Sequence, residues 1–233
     1  VSAGDGLYVQ ALALGLDPAW RRLPERERDE GAAELCRAVE RADRVTTHTY
    51  SMIGLRTGAD LMLWRLAEAL DELEEADAAV LRTGMGSYLH VTHSMLGIIQ
   101  PSQYVKKPTV QEQSLFTGER SRYLIVYPFT KTAEWYLLGQ AARQGIMNEH
   151  MRVGHEYQQV RQLLAYSFGI DDMDFLVAYE TDDLPAFGNL VRELRGTESR
   201  RSTVRDSPIL TCVHRPLTEI VAMLGAAAAG VHA

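Results

Sequence analysis

The chain has 233 residues, 46% of them hydrophobic and 24% charged, with a net charge of −7. That is enough apolar material for one large domain or two fused small ones. The negative balance argues against nucleic acid, whose phosphates call for a basic surface, and no apolar run reaches the roughly 18–20 residues that cross a bilayer.

In chain order, residues 6–15 read as a strand. Residues 24–41 read as a helix rich in Glu and Arg, with Leu35, Val39 and Ala42 on one stripe. Strands follow at 44–55 and 60–65, then a helix at 67–82 with an acidic outer face. Residues 85–119 join this half to the next, and 100–119 form a polar loop punctuated by Pro and Gly, with Lys106-Lys107-Pro108 inside it. Loops of that length usually carry function. The second half reads as a strand at 122–129, a helix at 133–158, strands at 161–168 and 174–180, a helix at 184–195 and a strand near 202–212. A short helix at 217–224 closes the chain.

The two halves share a signature. Tyr50-Ser51 leads to Gly54 and Asp60-Leu61; Tyr166-Ser167 leads to Gly169 and Asp174-Phe175. A repeat of about 115 residues is too long for a solenoid and fits duplication of a βαββαβ, ferredoxin-like unit. The expected class is α+β, with duplicated ferredoxin-like units forming a dimeric α+β barrel within one chain. The expected divisions are 1–99 for the first half, 100–120 for the connecting loop and 121–233 for the second half.

Cys36 and Cys212 lack the spacing of a structural zinc site. They read as buried free thiols of a reducing, cytoplasmic compartment. Residues 1–6 show no basic n-region of a signal peptide.

The most informative stretch is Arg122 to Tyr136, a strand running into a helix. Its alternation points Tyr127, Phe129 and Lys131 the same way: a redox-capable phenol, an apolar wall and a cation. That grouping suits a large, flat, acidic aromatic ligand, of which haem-type porphyrins are the obvious class. Pro128 marks an edge or a bulge. His150 shares a helical face with Ile146, Met147, Val153 and Tyr157, and Gly154 one turn on leaves room for a planar ligand. By helix pattern alone His150 reads rather as a satisfied core histidine than as a ligand. His155 lies about 140° round the helix and cannot join it on one metal. His90 and His93 read as a surface pair, and Gln162, Leu164 and Tyr166 share one strand face. Glu198 reads either as a solvated charge or as a carboxylate orienting a histidine.

Four runs in the second half then stand out: 126–138 (Val-Tyr-Pro-Phe-Thr-Lys-Thr-Ala-Glu-Trp-Tyr-Leu-Leu), 149–157 (Glu-His-Met-Arg-Val-Gly-His-Glu-Tyr), 166–175 and 180–184. With 16–24, 49–56 and 95–104 in the first half, they resemble the chlorite dismutase-like family, which includes coproheme decarboxylases. The resemblance spans nearly the whole chain. It implies haem or iron coproporphyrin ligated by His150, with Glu198 on the far nitrogen of that ring. It implies Lys131 on a propionate, Trp135 against the porphyrin, and Tyr127 as the radical relay for decarboxylation by hydrogen peroxide. It also implies a homopentamer. Chlorite dismutases carry an arginine seven residues before the Gly of the Gly-x-Asp-Asp turn; counting back from Gly169 reaches Gln162, which matches some coproheme decarboxylases. Arg161 is adjacent, but one residue along a strand reverses the face. No histidine lies between His93 and His150, and the span from His150 to Gln162 is one residue shorter than the family pattern. Lys106, Lys107 and Arg120 are candidate propionate contacts. The alternatives to coproheme decarboxylation are chlorite dismutation, weak haem peroxidase activity or haem binding without turnover.

Overall fold

A computed structural model describes residues 6–102, 104 and 119–226. They fall into two units. One comprises Gly6–Leu96 with residues 211–226; the other comprises 97–210.

In the first unit the strands are β1 (Tyr8–Leu16), β2 (Val45–Arg56), β3 (Ala59–Ala67) and β4 (Leu89–Ile98), and the helices α1 (Glu25–Glu40) and α2 (Leu70–Leu81). The strand order is β4-β1-β3-β2. β1 and β3 run antiparallel from Tyr8 opposite Ala67 to Leu14 opposite Leu61. Gly58, at φ +79°, makes the turn between β2 and β3, a conformation that side chains with a Cβ rarely adopt. Alternation along β1 and β3 sends Leu12, Leu14, Leu61 and Leu63 to the helix side, where they meet Leu35 of α1 and Val80 of α2. On the same side Arg65 is fully buried, held by Asp77 of α2 in an ion pair that Gln10 also joins.

The second unit repeats the plan with β5 (Tyr123–Lys131), α3 (Ala133–Leu137), α4 (Gln140–His155), β6 (Arg161–Tyr166), β7 (Phe175–Thr181), α5 (Leu184–Leu194) and β8 (Thr203–Arg205). Its order, β8-β5-β7-β6, again sets the last strand beside the first, then the third, then the second. The duplicated ferredoxin-like unit is therefore present, and the α+β class with it. Asp183 caps α5 by accepting a hydrogen bond from the Ala186 N–H at 3.0 Å, and Pro185 occupies the first turn, where its missing N–H costs nothing.

Four boundaries differ from the sequence reading. β4 falls in the segment read as a connector. Its His, Thr and Ser residues mask the strand pattern, and the free edge of β1 supplies the partner. The helix at 133–158 is two helices, because Leu138 and Gly139 are both extended (ψ 141° and 151°). The strand near 202–212 is also two: β8, and β9 (Leu210–His214), which pairs with β2 through Tyr50 opposite His214. The half drawn as 121–233 thus ends early. Residues 211–226, including α6 (Leu217–Met223), pack with the first unit through Leu217, Ile220 and Val221.

Leu190 of α5, 2% exposed, packs against the helix side of the second sheet. Leu190→Ala is expected to cost about 2–4 kcal/mol in urea denaturation, because it removes both buried area and its packing partners.

Candidate functional site

The site follows from strand register in the second unit. Tyr127 lies opposite Val177, Phe129 opposite Phe175, and Tyr179 opposite both Ile125 and Gln162. With a side-chain period of two, Tyr127, Phe129, Lys131, Gln162, Leu164, Tyr166 and Tyr179 all share one face. This is the face covered by the helices: Val153 of α4 and Leu190 of α5 pack with Ile125, Val177 and Tyr179. His150 stands one turn before Val153 and is carried to the same side.

Lys131 is 9% exposed. Its Nζ donates to the carbonyl of Ser199 at 3.1 Å and lies 4.5 Å from the centre of the Trp135 ring and 5.2 Å from that of Phe129. Its backbone N–H donates to Asp174 at 2.6 Å. Burial, then the nearby Arg200, lowers its pKa to about 8, while Asp174 opposes the shift. The ammonium is thus still mostly protonated at neutral pH and ready for an anion. Trp135 is buried on α3, whose first turn is capped by Thr132.

The Nδ1 of His150 is 3.1 Å from the hydroxyl of Ser199. Burial, then Lys131, lowers the pKa of the imidazole to about 4, with Glu149 opposing. The ring is therefore neutral at pH 7, the state in which imidazole binds a metal. A Cβ built on Gly154 would meet nothing within 4 Å, so no packing within the protein demands glycine there.

Tyr127 stacks on Tyr179, with ring centres 6.0 Å apart and planes at 24°. Burial, followed by Tyr179, raises the Tyr127 pKa well above the usual phenol value. The phenol therefore stays protonated at neutral pH. Tyr179 in turn touches Phe187 of α5, with ring centres at 5.1 Å.

Two sequence expectations, Glu198 and Arg120, land elsewhere. Glu198 is exposed and pairs with Arg201 at 3.5 Å, while its neighbour Ser199 meets His150. A turn of the 3-10 type at Glu198–Ser202 points adjacent side chains in different directions, so the carboxylate and the hydroxyl exchange places relative to the expectation. Arg120 is engaged with Glu180 at 3.6 Å, and Glu180 alternates to the face opposite Tyr179. Lys106 and Lys107 lie outside the described residues. Arg161, the neighbour of Gln162, also turns to that opposite face and binds Glu180 at 2.9 Å. The sequence reading missed Ser199, Thr197 and Tyr179. Only Tyr179 left a signal, through the alternation of β7.

Residues 28–215 match the chlorite dismutase family. The chain belongs to the chlorite dismutase family. A coproheme decarboxylase from Mycolicibacterium smegmatis is 28% identical over 195 residues, covering 83% of each chain. A variant of the chlorite dismutase from Candidatus Nitrospira defluvii superposes with a TM-score of 0.87 at 31% identity, covering 95% of this chain and 96% of that one. The same enzyme in complex with imidazole gives 0.86 at 31%, with the same coverage. The family thus includes relatives named for two different reactions. Among the described residues no helix is long and apolar enough to cross a membrane.

The depressed Lys131 pKa has a thermodynamic consequence in the ligand-free protein. Between about pH 8 and 10.5 the unfolded chain keeps a proton that the folded chain has released. The contribution of Lys131 to stability should therefore rise with pH across that window, by at most ~3 kcal/mol, against the opposite trend of the buried phenols and thiols whose pKa values are raised. Urea titrations at the two ends of the window should show the stability of the wild type relative to Lys131→Met increasing with pH, and a difference that does not change would remove Lys131 as the group.

Proposed function

We propose that this protein binds iron coproporphyrin and uses hydrogen peroxide to decarboxylate it oxidatively to haem b, in the cytoplasm. The observation that carries the reading is the common face of Tyr127, Lys131 and Gln162 beneath the helix that bears His150. Among the described residues no three His, Cys, Asp or Glu side chains could hold a bare metal ion. A single neutral imidazole instead suits an iron that brings four donors of its own.

The iron porphyrin, substrate and redox centre at once, supplies the chemistry that consumes peroxide. The protein's residues do the rest. His150 would offer Nε2 to the iron. Lys131 would hold a propionate carboxylate with a charge-assisted hydrogen bond, and Phe129 and Trp135 would form an apolar wall. Gln162 would present a neutral amide to peroxide. Tyr127 would give up a proton and an electron to the oxidising equivalent that peroxide supplies, and would regain both as a hydrogen atom taken from the propionate side chain. For each propionate, loss of one CO2, one proton and two electrons leaves a vinyl group; one peroxide takes up those two electrons, that proton and one more from solvent to become two waters, so the step balances. The partly buried position of Tyr127 and its raised pKa support this role, since a phenol kept protonated still carries the hydrogen that the relay must move.

Chlorite dismutation is the second reading, favoured by the solved relatives at 31% identity. It is disfavoured by the engagement of Arg161 with Glu180 and the neutral Gln162 in the shared face.

Titrating peroxide into the protein loaded with iron coproporphyrin should remove carboxylates one at a time by mass spectrometry; bleaching without decarboxylation would sink the proposal, and oxygen release from chlorite would favour the second reading. Tyr127→Phe should bind the porphyrin as the wild type does and fall to background turnover. His150→Ala should shift the Soret band of the ferric complex, and an unchanged band would remove His150 as the ligand. The homopentamer that the resemblance implies is checked by light scattering of the purified chain.

A further inference from the structure

The residue behind His150 can be identified by counting hydrogens. Thr197 and Ser199 are buried, 6% and 4% exposed, at the turn that follows α5. The Thr197 hydroxyl donates to the carbonyl of Leu194 at 2.7 Å. A carbonyl has no hydrogen to return, so the one hydroxyl hydrogen of Thr197 is committed there. The hydroxyls of Thr197 and Ser199 are 3.1 Å apart, and Ser199 must be the donor of that pair. Its own hydrogen is then committed as well. Facing His150 Nδ1 at 3.1 Å, Ser199 Oγ can only accept. Nδ1 therefore carries the ring proton and Nε2 carries the lone pair. The carbonyl of the same serine accepts from Lys131 Nζ at 3.1 Å.

We propose that Ser199 is the positioning residue of this site: its hydroxyl, backed by Thr197 and the Leu194 carbonyl, fixes His150 with Nε2 as the open donor, while its carbonyl steadies Lys131. This takes over the place that the family resemblance assigns to Glu198, and it rests on His150 being the iron ligand. The chemical difference is definite. A carboxylate behind an imidazole pulls on the Nδ1 proton and makes the ring a stronger electron donor, whereas a hydroxyl whose hydrogen points away is a neutral and weaker acceptor. The chain is set for a less electron-rich axial ligand than a carboxylate-backed one.

The test begins with the full-length, ligand-free protein at neutral pH, using ¹⁵N-histidine NMR. The wild type should show His150 protonated at Nδ1 and bare at Nε2. Ser199→Ala should release the ring to exchange between tautomers. Thr197→Val should do something a packing defect would not: with its acceptor gone, Ser199 is free to donate to Nδ1, and the tautomer should invert. An unchanged tautomer in both variants overturns the proposal, and either variant alone suffices if the other does not fold. With iron coproporphyrin bound, Ser199→Ala should weaken affinity about tenfold or more, the usual scale for removing such a partner. Ser199→Asp should lower the ferric/ferrous midpoint potential, and an unmoved or raised potential counts against the argument. If His150→Ala leaves the Soret band unchanged, the iron-ligand reading fails by itself, and the NMR of the ligand-free chain still decides whether Ser199 sets the tautomer.

Discussion

Everything about the site depends on the antiparallel register of β5, β7 and β6. A strand offers its side chains alternately to two faces, and one shared register decides which residues of three strands meet. Here it brings Tyr127, Lys131, Tyr179 and Gln162 to the helix side and sends Arg161 and Glu180 to the other. Helix α4 then needs only its apolar residue Val153 to seat His150 above that face. The candidate grouping is thus a by-product of ordinary sheet packing, and the same contacts that hold the unit together hold the phenol, the cation and the imidazole in place.

Burial does the second part of the work. Lys131 and His150 are both drawn out of water; burial lowers the proton affinity of each, Lys131 lowers that of His150 further, and no carboxylate forms an ion pair with Lys131 among the described residues. An unmatched positive region of this kind is costly in isolation. It becomes favourable when an anion enters, so this cost would return as affinity for the carboxylate-bearing ligand proposed above. The aromatic faces of Trp135 and Phe129 moderate the cost in the meantime.

Much of this was legible in the sequence, and the misses have physical causes. The duplicated plan could be read because apolar alternation and the Tyr-Ser-Gly-Asp signature recur. Tyr127, Phe129 and Lys131 could be read because a strand fixes their common face. β4 could not, because Leu89–Ile98 is half polar and owes its strand to the waiting edge of β1. The break between α3 and α4 hides in Leu138 and Gly139, where no proline marks it. Ser199 was invisible for a different reason. In a helix or strand, position along the chain predicts direction, but in the irregular turn at 198–202 the direction of each side chain is set by local backbone angles that composition does not encode.

Glu180 has a consequence for how this scaffold can change. It is a fully buried carboxylate answered by two guanidinium groups, Arg120 and Arg161. Sliding β6 by one residue would bring Arg161 into the face now occupied by Gln162. It would also strip a buried anion of one partner, a loss of several kcal/mol by the usual scale for broken buried ion pairs. The residue missing between His150 and Gln162 therefore cannot be restored by slippage. Within this chain an arginine takes the place of Gln162 by substitution, because the sheet is locked against the slip that would bring Arg161 there.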